Sequence, residues 1–260
     1  MEILLFMVCF GACVIGSICG IGGGVIIKPV LDAFGIFNVS TASFLSSCTV
    51  LAMSACSVVR NLSGGKSDID LQRGTFLGIG AALGGITGKY LFESVRGLFS
   101  DSNTVGAVQA AALFLITGAT LLYTLKKERI RTLEVQNCVL CGAVGLVLGI
   151  MSSFLGIGGG PVNLVVLFYF FSMPTKAAAQ NSLYIILLSQ MSSLLMTLMT
   201  QSLPSFSMPV LVGMVCTGIL GGMIGRMISR RINTAVVDCL FRGLLFLIMG
   251  ICIYNFHLYV

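Results

Sequence analysis

Long apolar stretches, separated by short polar connections, follow one another along nearly the whole chain. The first covers residues 3–19, and seven more cover residues 41–59, 71–92, 104–125, 135–154, 177–199, 208–227 and 234–254. Each is close to the roughly 20 residues that a helix needs to cross the hydrocarbon core of a bilayer. Backbone that faces lipid must satisfy its own hydrogen bonds, which requires helices rather than isolated strands. The pattern therefore predicts an all-α polytopic membrane protein.

The composition supports a membrane protein and narrows its partners. Of the 260 residues, 57% are hydrophobic and 9% are charged, whereas a soluble domain has about a quarter of its residues charged. No basic segment precedes the first apolar stretch as in a signal peptide, so we expect that stretch to remain in the mature protein. The net charge of +6 forms no basic patch interleaved with aromatic residues, which argues against a nucleic-acid partner. Most of the ten cysteines lie in apolar stretches, and no metal or cofactor is expected.

A repeat divides the chain into two halves. The sequence GIGGG occurs at residues 20–24 and again at 156–160, and three further landmarks recur in the same order at offsets of 132–137 residues. We therefore predict three regions. They are a first transmembrane repeat at residues 1–125, a basic cytoplasmic linker at 126–134 and a second transmembrane repeat at 135–260.

The glycine cluster of each half interrupts an apolar segment of about 30 residues. One continuous helix of that length would be too long for the bilayer. We expect a broken or hairpin helix at each cluster, followed by three transmembrane helices. The sequence leaves open whether the broken element is re-entrant or crosses the membrane twice.

The basic residues predict how the two halves are oriented. Eleven of the fifteen lie in or beside four connections: Arg60, Lys66 and Arg73; Lys126, Lys127, Arg129 and Arg131; Lys176; and Arg226, Arg230 and Arg231. The connection at residues 201–207 has none. The positive-inside rule places all four basic connections in the cytoplasm. This requires an odd number of crossings in each half, so it predicts two inverted repeats with both termini outside.

The glycine clusters are the leading candidates for a substrate site. A helix that begins after a break presents free N–H groups and the positive end of its dipole, and two such ends facing each other would suit a small anion. Inverted-repeat transporters bind their substrates near the midplane at discontinuous helices. The alternative is a close contact between helices through small residues. The predicted substrate-binding glycines are Gly22, Gly23, Gly24, Gly158, Gly159 and Gly160.

Polar residues at matched positions after each break add to this site. Ser46 and Ser47 in the first half correspond to Asn181 and Ser182 in the second. Their hydroxyl and amide groups could donate hydrogen bonds to an anion, or they could join helices to one another. Lys28, four residues after the first cluster, is a further candidate for contact with the substrate. It could attract the anion or pair with a carboxylate four residues later.

Other charged residues in the apolar stretches have simpler explanations. Arg242 and Asp238 are four residues apart and are expected to neutralise one another. Lys89 and Arg226 occupy equivalent positions of the repeat near helix ends, where long side chains reach the lipid headgroups. No catalytic set is apparent: His257 is the single histidine and has no carboxylate beside it in the sequence. We therefore do not expect an enzyme.

At the glycine clusters the sequence resembles a known family. Residues 20–29 (GIGGGVIIKP) and 156–163 (GIGGGPVN) are similar to the duplicated signature of the sulfite exporter TauE/SafE family, and the resemblance extends over essentially the whole chain. It implies a multi-pass permease of the inner (cytoplasmic) membrane for sulfur-containing anions, with the site at the matching glycine, serine and asparagine positions named above. One departure is that Val165 stands where the first half has Pro29, so the two halves of the site are expected to differ.

Together these observations predict a secondary permease for a small sulfur-containing anion such as sulfite or an organosulfonate, bound at the midplane between the two breaks. One repeat would rock against the other during transport. A passive anion channel and a membrane scaffold that binds a partner protein are the alternatives. The sequence leaves open the anion, the direction, the coupling ion and the oligomeric state, and it is compatible with an oligomer.

Overall fold

The structure is a computed structural model that describes residues 2–63, 69–98, 102–200 and 203–259. Lys66 and Gln201, which belong to connections used above to predict orientation, lie outside these ranges. Within the described ranges the regular structure consists of ten α-helices and one short 3-10 turn, with no β-strand. The predicted all-α class is confirmed.

Five helices in the first half match five helices in the second in order, and the first three pairs also match in length. Those of the first half are α1 (Glu2–Cys19), α2 (Gly24–Phe34), α3 (Val39–Ser63), α4 (Leu71–Leu98) and α5 (Ser102–Lys126). The 3-10 turn Lys127–Arg129 follows, and the second half contains α6 (Cys138–Leu155), α7 (Pro161–Phe171), α8 (Thr175–Met199), α9 (Met208–Arg231) and α10 (Thr234–Tyr259). The first three lengths, 18, 11 and 25 residues, are the same in both halves.

Seven of the described helices are long and apolar enough to cross a membrane: α1, α3, α5, α6, α8, α9 and α10. This confirms a polytopic membrane protein. Helix α4 contains the predicted stretch 71–92 but is outside this set, because its glycines and charged residues lower its hydropathy. Helices α2 and α7 have 11 residues each and rise only about 16 Å, too little to cross the hydrocarbon core.

Short local signals set several helix ends. The Asn137 side chain accepts a hydrogen bond of 2.9 Å from the backbone N–H of Val139 and caps α6, as an N-cap asparagine commonly does. Pro161 occupies the first turn of α7, where its missing N–H costs no hydrogen bond. Gly35 ends α2 in the left-handed conformation, with φ of 63°, which glycine adopts without steric cost.

The two halves are intertwined. Helix α1 of the first half packs along α9 of the second, and α4 packs along α6. In addition, α3 contacts α8, and α5 contacts α10. When each helix is replaced by its equivalent in the other half, the α1–α9 contact becomes the α6–α4 contact. The α3–α8 and α5–α10 contacts each turn into themselves, because the two helices of each pair are equivalents. The halves therefore share one core.

Glycines bring α4 and α6 into direct backbone contact. A Cβ atom on Gly84 would overlap the carbonyl oxygen of Leu146 and lie 2.9 Å from the backbone nitrogen of Ile150. Equivalent overlaps with backbone carbonyl groups recur at Gly80, Gly88, Gly145 and Gly149. The α1–α9 contact is built in the same way, at Gly221 and Gly225. Small residues are what allow membrane helices to approach this closely.

Equivalent helices run in opposite directions where they touch. Lys127, immediately after α5, forms an ion pair of 2.6 Å with Asp238 near the start of α10. At the other end, Gly106 near the start of α5 faces the ring of Tyr259, the last residue of α10.

The predicted pairing of Asp238 with Arg242 is wrong, because the carboxylate of Asp238 forms its ion pair with Lys127. The Arg242 Nε donates a hydrogen bond of 3.4 Å to the backbone oxygen of Asp238 instead of its carboxylate.

Helices α3 and α8 are also antiparallel, which gathers basic residues at one end of the molecule. At this end, called here the basic end, α3 and α9 finish and α8 begins, and it carries Arg60, Lys176, Arg226 and Arg230. At the opposite end α3 begins next to the segment that follows α8. There the Thr41 hydroxyl donates a hydrogen bond of 3.1 Å to the backbone oxygen of Ser205.

Candidate functional site

The two glycine clusters form sharp breaks between helices. Helix α1 ends at Cys19 and α2 begins at Gly24, whereas α6 ends at Leu155 and α7 begins at Pro161. The equivalent residues Gly22 and Gly158 have φ values of 72° and 71°, a left-handed conformation that residues with a side chain rarely adopt. The two turns agree at these positions and differ at the next, where Gly23 has a φ of −68° and Gly159 a φ of 120°.

The two breaks touch each other in the centre of the fold. A Cβ atom on Gly24 would overlap the carbonyl oxygen of Ile157, and one on Gly22 would lie 3.6 Å from the carbonyl oxygen of Gly158. The side chains of Val50 and Ile186 pack against both breaks and are buried. In this conformation the junction between the breaks is therefore tightly packed and largely apolar.

The predicted serines lie in α3 and α8, close to this junction. Ser46 and Ser182 are fully buried, and each Oγ atom has no hydrogen-bond partner among the described residues. Ser47 is also buried and lines a small cavity at the end opposite the basic end. A buried hydroxyl without a partner is costly, so Ser46 and Ser182 are available to a ligand that reaches them.

Asn181 makes structural hydrogen bonds. Its Oδ1 atom accepts a hydrogen bond of 3.1 Å from the backbone N–H of Asp70, and its Nδ2 atom donates one of 2.9 Å to the backbone oxygen of Ala177. The first of these ties the segment before α4 to α8. Of the two interpretations of Asn181, the structure therefore shows hydrogen bonding within the protein, and contact of Asn181 with a substrate stays a prediction.

Lys28 forms a buried ion pair. Its Nζ atom lies 2.7 Å from Oδ2 of Asp32, and both side chains are almost completely shielded from solvent. The pair lines a cavity of about 10 Å³ with Gln109 and Asn255. From the sequence, Lys28 is expected either to attract the anion or to pair with a carboxylate. The structure shows the ion pair, and binding of substrate by Lys28 stays a prediction.

Two cavities of very different size lie on either side of the breaks. The larger, of about 400 Å³, opens at the basic end and is lined by Ser17, Ser57, Asn61, Lys176, Ala179, Gln180, Leu183, Arg226, Ser229 and Arg230. The smaller, of about 30 Å³, lies at the opposite end, and its lining includes Lys89, Phe92 and Ser153. Under the offsets of the repeat, these three correspond to Arg226, Ser229 and Ser17 of the larger cavity. The cavities are therefore equivalents of one another, one open and one nearly closed.

Each cavity reaches one glycine break. Ala179 in the wall of the larger cavity packs directly on Gly20 of the first break. Gly156 of the second break itself lines the smaller cavity, next to Ser43, whose Oγ atom would lie 2.5 Å from a Cβ on that glycine. The two breaks thus stand between the two cavities.

The comparison with known proteins agrees with this architecture. Residues 5–252 match the family described as sulfite exporter TauE/SafE. The chain belongs to the TauE/SafE family. Members of this family are membrane transporters rather than enzymes, so the expectation that the chain is not an enzyme is confirmed.

Two curated relatives of this TauE/SafE transporter cover most of its length. It is 24% identical over 255 residues to "Probable membrane transporter protein YunE" of Bacillus subtilis, a match to 90% of each chain. It is 26% identical over 254 residues to "Probable membrane transporter protein MJ0441" of Methanocaldococcus jannaschii, a match to 88% of this chain and 87% of the relative. No solved structure matches the chain.

Arg226 of this TauE/SafE transporter lines the larger cavity, a position that the sequence pattern did not indicate. Its Nη1 atom donates a hydrogen bond of 2.6 Å to the backbone oxygen of Ser57. Its reach to the lipid headgroups stays a prediction. Arg226 follows Gly222 by four residues and so lies on the same helix face. The structure buries that glycine against Met53 of α3, which the sequence alone does not reveal.

Proposed function

We propose that this transporter carries a small sulfur-containing anion, such as sulfite or an organosulfonate, across the inner membrane of the cell. The observation that carries the proposal is the larger cavity. Its described lining contains Lys176, Arg226 and Arg230 and no Asp or Glu, and it reaches the first glycine break. Clefts lined by charge of one sign concentrate ions of the opposite sign.

The unequal cavities support a carrier rather than a channel. A channel needs a continuous path, whereas here Val50 and Ile186 fill the junction between the breaks. The repeat relates an open cavity at one end to a nearly closed one at the other. A carrier that exchanges these two states would expose a site between the breaks to each side in turn. When the breaks separate, the predicted glycines and the buried hydroxyls of Ser46 and Ser182 would line the anion's path.

We further propose that the two repeats are inverted with respect to the membrane. The antiparallel contacts of α3 with α8 and of α5 with α10 support this arrangement. The collection of Arg60, Lys176, Arg226 and Arg230 at one end supports a cytoplasmic location for that end. The larger cavity would then open to the cytoplasm.

A topology experiment tests the inverted arrangement. A reporter fused after Val260 should be located outside the cytoplasm, and one inserted at residues 126–131 should be cytoplasmic, because α10 and the linker end on opposite sides. Alkaline phosphatase and green fluorescent protein fusions at both sites provide the measurement. If both sites report the same side, the inverted arrangement is wrong.

Transport in proteoliposomes tests the substrate class. With sulfite, sulfoacetate, taurine, thiosulfate, sulfate and acetate as the panel, we expect saturable uptake of one or two sulfur anions that compete with each other. Liposomes with protein inactivated by heat are the control. Flux that rises linearly with anion concentration would indicate a channel instead. Absence of flux for the whole panel would contradict the proposed substrate class and favour the scaffold alternative.

A further inference from the structure

Among the described residues, the lining of the larger cavity carries three cations and no carboxylate. The ion pairs within the described ranges use Lys28, Arg73, Lys89 and Lys127. Among the described residues, Lys176, Arg226 and Arg230 therefore have no carboxylate within salt-bridge distance. Three cations that converge on one concave surface without a counter-charge repel one another, and an anion in the cavity would relieve that repulsion.

Arg226 is held in place and still has a hydrogen-bond donor to offer. The bond from its Nη1 atom to the backbone oxygen of Ser57 fixes the guanidinium plane. Its Nη2 atom is buried and has no partner among the described residues, and the same is true of the Oγ atom of Ser57. Ser57 is only 3% exposed. A buried cationic donor without an acceptor is costly, and an oxyanion would satisfy it through a short, charge-assisted hydrogen bond.

We propose that Arg226 binds the oxyanion head of the substrate in the larger cavity, with Lys176 and Arg230 supplying the remaining positive charge. This inference rests on the proposed function, and it identifies a site at the cavity end of the path in addition to the breaks. The cavity volume of about 400 Å³ lies within the range of small-molecule sites. Its lining also includes Ala179 and Leu183, against which the short carbon chain of an organosulfonate can pack.

The smaller cavity shows why Arg226, and not its equivalent, binds the anion in this conformation. The equivalent residue, Lys89, lies 3.6 Å from Glu93, and its Nζ atom is 5.2 Å from the centre of the Phe92 ring. The repeat position of Glu93 is occupied by Arg230 in the second half. Glu93 thus pairs with Lys89, although Arg96 also lines the smaller cavity. At the larger cavity a second arginine, Arg230, adds to the charge beside Arg226.

Chemical modification of Arg226, with and without a bound anion, tests this site directly. Phenylglyoxal should modify Arg226 in the purified full-length protein, and sulfoacetate should protect it, as read by mass spectrometry of the peptide. Chloride at equal ionic strength should not protect. Arg242, exposed on α10 and outside the lining of the larger cavity, is the internal control and should react equally with or without sulfoacetate. Vesicles that contain phosphatidylglycerol test the other source of an oxyanion: protection by that lipid but not by sulfoacetate would overturn the proposal.

Substitutions at the cavity test the same site by anion binding and transport. Arg226→Gln should weaken sulfoacetate binding by about tenfold or more, since a buried hydrogen bond to a charged group is lost, and should raise the transport KM. Arg226→Lys should retain part of the binding, and Arg242→Gln should retain all of it. Lys176→Gln leaves the hydrogen bond from Arg226 to Ser57 intact and should also weaken sulfoacetate binding. This variant replaces Arg226→Gln in the test if Arg226→Gln does not fold.

The outcomes separate the two proposals. Normal transport with unchanged binding and KM in both Arg226→Gln and Lys176→Gln would overturn the cavity site and leave the proposed function standing. Failure of the wild-type protein to transport any sulfur anion would overturn the proposed function. Protection of Arg226 by sulfoacetate would in that case still support an anion site in the cavity, and lack of protection would overturn both.

Discussion

Gly84→Leu should abolish the folded protein, and Gly243→Leu should not. At position 84 even a Cβ atom overlaps the backbone of α6, and a backbone carbonyl cannot rotate away as a side chain can. Accommodating leucine would force α4 and α6 apart, and the neighbouring close contacts at Gly80 and Gly88 would open with them. Overpacking of a core typically costs about 1–3 kcal/mol, and here several contacts would be lost together.

Gly243 is the matched control, since it also lies inside a long membrane helix, α10. A Cβ atom there meets no atom within 4 Å, so its leucine would point into open space. The measurement is the monodisperse fraction and the melting temperature of each detergent-solubilised variant. A Gly84→Leu protein that elutes and melts like Gly243→Leu would contradict the close α4–α6 contact.

Lys28→Met should destabilise the protein by about 3–5 kcal/mol, because it leaves the carboxylate of Asp32 buried without its cation. The pair is almost completely shielded, with Nζ and Oδ2 2.7 Å apart. The double variant Lys28→Met with Asp32→Leu removes both charges and should recover most of the loss, as replacement of a buried pair by apolar residues often does. Thermal melting of the wild type and of the three variants in a double-mutant cycle provides the test.

The same cycle separates the two roles considered for Lys28. If its role is structural, the double variant should fold and should bind sulfoacetate like the wild type. If Lys28 also contacts the substrate, the double variant should be stable but should bind the anion weakly. A Lys28→Met protein as stable as the wild type would show that the ion pair contributes little to the fold.

The helices could be predicted from sequence because each leaves a local signature. The predicted break between residues 19 and 25 agrees with the end of α1 at Cys19 and the start of α2 at Gly24. The second break agrees equally well, since Pro161 begins α7. Helix length in a bilayer is set by the thickness of the hydrocarbon core, and glycine and proline mark interruptions. Both are properties of short segments, so no knowledge of the tertiary structure is needed.

The contacts between helices could not be predicted in this way. The GIGGG repeat predicted two breaks on either side of a site, but not that they pack directly on each other with Val50 and Ile186 filling the junction. Arg226 stands near a helix end with Arg230 and Arg231, and Arg242 follows Asp238 by four residues; neither setting indicates a cavity. One lines a cavity and the other is exposed. The pairing of Asp238 with Lys127 joins residues far apart in the chain, whereas a pattern along one helix favours the partner four residues away.

The contact between α1 and α9 has a consequence for synthesis of the chain. Helix α1 leaves the ribosome well before Gly221 and Gly225 of α9, against which it packs, are translated. Until then α1 has only lipid or provisional neighbours along the face that later meets α9. This contact therefore forms only after α9 has been translated, and a ribosome that stops between α8 and α9 releases a product in which α1 keeps its smaller contacts with α2, α3 and α8 but lacks its main partner.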